Sequence, residues 1–111
     1  MKPDLNKLPS LFPPKKISSE EIKVSLLDLE YKDDFGDQDW TQISDETYRK
    51  NHDGFFIMDH KILASFIAGY LHFIYRDRES NTAERFTYFV EGKDFQKFCG
   101  VLSKNQVLFL V

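Results

Sequence analysis

The chain is poor in the residues that mark the commonest chemical motifs. It has one cysteine, Cys99, among 111 residues. An internal disulfide is therefore excluded, and a reducing, cytoplasmic setting is the simplest expectation. The five glycines are scattered, so no glycine-rich phosphate cradle can be drawn. No Cys-x-x-Cys or His-Glu-x-x-His appears, so neither common zinc spacing is present. Basic residues are not in excess: the formal net charge is −3. Phosphate backbones call for clustered Lys and Arg, so nucleic acid is not an expected partner. The four prolines all fall within residues 1–16. Proline lacks an N–H and restricts its predecessor, so that stretch reads as an extended arm, tacked down by Leu8, Leu11 and Phe12. No basic-then-apolar opening suggests a secretory signal.

Long apolar runs are also scarce, with one exception. Ile62 to Tyr75 is apolar nearly all the way round, between Asp59-His60-Lys61 and Arg76-Asp77-Arg78. At about 1.5 Å per residue it would be roughly 21 Å long, short of a bilayer core of about 30 Å. It therefore predicts the buried central helix of a soluble domain, with no membrane partner. Eleven Phe and five Tyr supply ample core volume for one domain.

Local signals place the other elements. Ser18-Ser19-Glu20-Glu21 is a capping box, with Ile17 and Ile22 as its hydrophobic staple. It predicts a helix over about 19–32 carrying Ile22, Leu26 and Leu29 on one stripe. Alternation of Ile22, Val24 and Leu26 would instead suit a strand. Ser44 is a cap for a short helix, roughly 45–51, and His52-Asp53-Gly54 is a turn. Asp59 caps the central helix. Residues 84–91 fit a helix through Phe86, Phe89 and Val90, or a strand through Phe86, Tyr88 and Val90. Asp94 to Cys99 reads as a short helix, and Ser103 with Gln106 forms a second box opening a last helix to Val111. The expected fold is all-α: an extended arm over 1–16 and a single helical domain over 17–111, wrapped around 59–77. The alternative is α+β, with strands at 22–31 and 84–90.

Candidate chemistry is thin. Asp37 and Asp39 imitate the start of a calcium loop. The pattern then fails at Thr41, Gln42 and Tyr48, and a start at Asp33 fails at Phe35. His52, Asp53, Asp59 and His60 could serve a metal or acid–base chemistry. Asp53 and Asp59 already have turn and cap roles, and His72 reads as a core histidine. Ser65 lacks a nucleophile elbow, and Cys99 has no adjacent histidine. The proline stretch suits packing on its own body better than a groove elsewhere. No catalytic residue, metal or cofactor is therefore assigned.

Charge segregation is the strongest remaining feature. Residues 28–46 hold eight acids against Lys32, a local net of −7. Tyr31, Phe35, Trp40 and Tyr48 are interleaved with Asp33, Asp34, Asp37 and Asp39. Acids steer a basic partner and aromatic anchors hold it. The stretch thus reads as a recognition face, with a solvated loop as the plainer alternative.

Several of these pieces resemble a family of short, all-helical bacterial proteins, a domain of unknown function. The resemblance rests on Glu20 to Tyr31 running into the acidic loop, Trp40, and His52-Asp53-Gly54 before the aromatic stretch. It continues through the Phe66 to Asp77 helix with Tyr70-Leu71, and Leu102-Ser103 with Gln106. His72 stands where that family has a proline. The resemblance implies a helical fold and carries no activity. The expected function is a non-catalytic protein-binding protein, such as a small acidic immunity or inhibitor partner of a basic protein. The alternatives are a small hydrolase or metal enzyme using His52, Asp53 and His60, and a helical structural subunit. The oligomeric state is left open.

Overall fold

The capping signals fix where the helices begin. The computed structural model describes residues 5–25 and 29–110, with only the backbone of 23–25 and 29–30. Ser18 Oγ accepts from the Glu21 N–H at 3.2 Å and donates to its carboxylate, opening α2 (Ser19–Ser25). The next helix, α3, spans Leu29–Phe35. The expected 19–32 segment is thus helical, not a strand, over its described residues. Its stripe residue Leu26 lies outside them, as do the side chains of Val24 and Leu29.

Ser44 Oγ accepts from Thr47 N and opens α4 (Asp45–Lys50). A short α5 (Gly54–Ile57) follows the turn. Asp59 accepts from Lys61 N at 2.9 Å and starts α6 (His60–Arg76). Ser80 caps α7 (Asn81–Glu91), so the ambiguous 84–91 segment is helix. After α8 (Asp94–Cys99), the Ser103–Gln106 box closes in both directions at 2.8 and 3.2 Å and opens α9 (Lys104–Leu110). Among the described residues there is no strand beyond an isolated bridge between Ile17 and Gln38. The fold is all-α.

One expectation is corrected. Residues 5–11 are not extended: Leu5–Lys7 forms a 3-10 turn and Leu8–Leu11 a single helical turn, α1. Pro9 stands in the first turn, where a missing N–H costs nothing. Leu8 and Phe12 are buried, so the segment is part of the core.

The core is built on α6. Ile62, Leu63, Phe66, Ile67, Tyr70, Leu71, Phe73 and Ile74 are all buried there. Helix α4 packs on α6 and α7, α5 on α7, and α8 on both α6 and α7. Aromatic rings fill the joints. Phe35 meets Phe66 edge-on at 4.9 Å, Tyr70 meets Tyr48 and Phe55 at 4.7 Å, and Phe89 meets Phe98 at 5.4 Å. Offset and edge geometries of this kind favour rings beyond their buried area. No helix among the described residues is long and apolar enough to cross a membrane.

Candidate functional site

Two aromatic side chains of the 40–48 segment reach backbone with their polar tips. Trp40 Nε1 donates to Phe12 O at 2.8 Å, and the Tyr48 hydroxyl donates to Trp40 O at 2.9 Å. Burial, helped by Asp39 and Asp45, raises the Tyr48 phenol far above its ordinary range, so it remains a donor. The Tyr48 ring lies over Gly69, where an added methyl would overlap its hydroxyl. Tyr48 thereby sets how closely α4 approaches α6.

Between the 5–9 turn, the 40–48 segment and α6 lies a cleft of about 480 Å³. Leu5, Pro9, Trp40 and Ile43 give it apolar walls. Helix α6 contributes Gly69, His72 and Arg76 at the three- and four-residue spacing that places side chains on one face. Arg76 pairs with Asp45 through Nη2 and donates from Nε to His72 O at 3.3 Å. Both side chains of the pair are about half exposed. Burial, with Arg76 as second cause, holds His72 below the usual histidine range, and Asp45 opposes the shift.

The residues of the expected recognition face divide between core and surface. Its aromatic half is corrected: Tyr31, Phe35, Trp40 and Tyr48 are all buried, with Phe35 fully so. Trp40 and Tyr48 bury their rings because their polar tips find backbone partners, and Phe35 packs as plain hydrocarbon against Tyr31 and Phe66. The acidic half is mostly engaged locally. Asp34 pairs with Lys50 at 3.4 Å and accepts from Asn51 at 3.0 Å. Asp37, at φ 60°, accepts from Ser19 N at 3.2 Å, and its own N–H donates to Ile17 O. Asp39 closes a turn onto Thr41 N at 2.8 Å. Asp33 is exposed in the last turn of α3, and Glu46 is exposed beside Arg49.

The histidines take different partners. His52 Nδ1 lies 3.4 Å from Asp53, whose carboxylate also meets Arg85 at 3.1 Å. The His60 ring stands edge-on to Phe98. No group of three metal-ligating side chains occurs among the described residues. Ser65 donates back to Lys61 O, and burial raises the Cys99 thiol.

Sequence reasoning placed His72 in the core and missed the cleft. The four-residue spacing of His72 and Arg76 was visible; their approach to Asp45, far away in the chain, was not. It also missed that the exposed aromatics are Phe56 and Tyr88, each 53% exposed. No protein-family model, curated protein or solved structure matches this chain.

Proposed function

We propose that the protein is a non-catalytic binding protein whose acidic 33–46 surface receives a basic protein partner, in the manner of small acidic inhibitor or immunity proteins. The observation that supports this reading is the position of Asp33. It is exposed in the last turn of α3. The negative end of a helix dipole disfavours a carboxylate there, so Asp33 does not serve helix stability. It adds its charge to the negative potential of the helix end and of the acids that follow. Such a field speeds encounter with a basic surface and is screened over a Debye length of about 8 Å at physiological salt.

The test is surface plasmon resonance on a partner purified from the native host, at two salt concentrations. Asp33→Asn with Glu46→Gln is the informative variant, because Asp34, Asp37 and Asp39 hold local structure. The expected outcome is a lower on-rate and a shallower salt dependence, with an unchanged circular dichroism spectrum. An on-rate and salt slope equal to the parent protein's would reduce this surface to solvated loop.

A further inference from the structure

The cleft between the 5–9 turn, the 40–48 segment and α6 borders the acidic surface and shares Asp45 with it. Its volume, about 480 Å³, lies in the ordinary range for small-molecule pockets, about 300–1,000 Å³. Its apolar wall is Leu5, Pro9, Trp40 and Ile43, and the rest of its lining is mostly polar. Several polar groups are already committed. Ser44 Oγ caps α4, and Thr41 is turned onto Asp39. The Arg76–Asp45 pair is different. One carboxylate oxygen of Asp45 and the Nη1 of Arg76 make no hydrogen bond among the described residues, and both side chains are about half exposed. The cleft thus presents one positive and one negative group side by side above an apolar wall.

That arrangement selects by charge. A simple anion can reach Arg76 but meets Asp45 as a like charge, and a simple cation can reach Asp45 but meets Arg76. Like charges held that close disfavour either ion. A ligand with both charges has neither conflict, because its carboxylate meets Arg76 while its ammonium meets Asp45. Its apolar body then lies against Pro9, Trp40 and Ile43. His72 completes the wall as a neutral hydrogen-bonding group, which keeps the net charge of the site near zero.

We propose that this cleft binds a small zwitterion with an apolar body, namely an apolar α-amino acid, by charge pairing to Arg76 and Asp45 over the Trp40 wall.

The protein holds a single tryptophan, so its indole N–H gives one assignable nuclear magnetic resonance signal from a residue that lines the cleft. L-leucine is the probe. N-acetyl-L-leucine, which lacks the ammonium, and L-leucine amide, which lacks the carboxylate, are the controls. Titration with L-leucine is expected to shift the Trp40 indole and the Thr41, Asp45 and His72 amides together, with half-saturation at about 1 mM or tighter. Each control should bind at least tenfold more weakly. Asp45→Asn keeps shape and a hydrogen bond to Arg76 while removing the charge, and should weaken L-leucine by a similar factor. Arg76→Gln should do the same, and Asp45→Asn decides if that variant does not fold. Shifts that stay linear to about 20 mM, or controls that bind as well as L-leucine, would overturn the proposal.

Discussion

At the scale of single residues, two tyrosine–glycine contacts set the interior. The Tyr70 hydroxyl donates to Asn51 O at 2.8 Å and occupies the space where Gly54 would carry a Cβ. Gly54→Ala should therefore overpack the joint between α5 and α6, costing about 1–3 kcal/mol. Tyr70→Phe alone loses the buried hydrogen bond, while Asn51 O keeps the one from the Gly54 N–H at 3.0 Å, a cost of about 0.5–1.5 kcal/mol. The double variant should cost clearly less than the two singles added, because removing the hydroxyl vacates the space the new methyl needs. Chemical denaturation of all four proteins measures that coupling, and strict additivity would show that the hydroxyl does not fill the site. His72 makes a second residue-scale prediction. Burial and Arg76 lower its folded pKa, so the unfolded chain binds the proton more readily. The stability this contributes is complete above the unfolded pKa of about 6.5 and is lost as pH falls through the lower folded value. Thermal midpoints between pH 7.5 and 5.5 should fall more for the parent protein than for His72→Gln. Equal slopes would mean that His72 titrates alike in both states.

At the scale of elements, α6 is the one that the others require. Ile67 is fully buried and Phe73 nearly so. Ile67→Ala should cost about 2–5 kcal/mol and Phe73→Ala about 3–5 kcal/mol, a large share of a typical total of about 5–15 kcal/mol. Loss below about 0.5 kcal/mol at both sites, read by urea denaturation, would mean that the core lies elsewhere. Helix α6 was also the element most legible in the sequence, because a short helix that is apolar on nearly every side has to be covered by other elements. The starts of α2, α4 and α9 were legible for a different reason. A serine three residues ahead of the N–H it accepts is a local pattern, and local patterns are written in consecutive residues. What could not be read was the direction each aromatic faces. Trp40 and Tyr48 stand among acids, as surface anchors would. Their burial depends on Phe12 O and Gly69, which lie far off in the chain. The cleft was hidden in the same way, since its two charges come from α4 and α6.

At the scale of the whole molecule, the N-terminal segment acts as a clasp. Leu8 and Phe12 are buried in the common core, Phe12 O accepts from Trp40, and Leu11 O accepts from Gln106 Nε2 at 2.7 Å. Residues near the two ends of the chain are thereby joined across α1 and α9, and the same segment forms one wall of the cleft. The prolines explain why this was misread. They forbid a long helix, yet Pro9 fits a first turn, and a single turn is enough to aim Leu8 inward while Phe12 follows. Phe12→Ala should show whether the clasp holds the molecule shut. Losing a buried ring costs about 3–5 kcal/mol by cavity and transfer effects together. The effect should spread beyond that site, because the backbone carbonyl of Phe12 is the partner of the only indole in the chain. With the segment lifted, Trp40 should meet water, and its fluorescence should shift to longer wavelength before the main unfolding transition. Amide hydrogen exchange should quicken across 5–12 and in α9, while the α6 amides keep their protection. Unchanged Trp40 emission together with unchanged exchange in α9 would mean that the segment rests on the core without holding it closed.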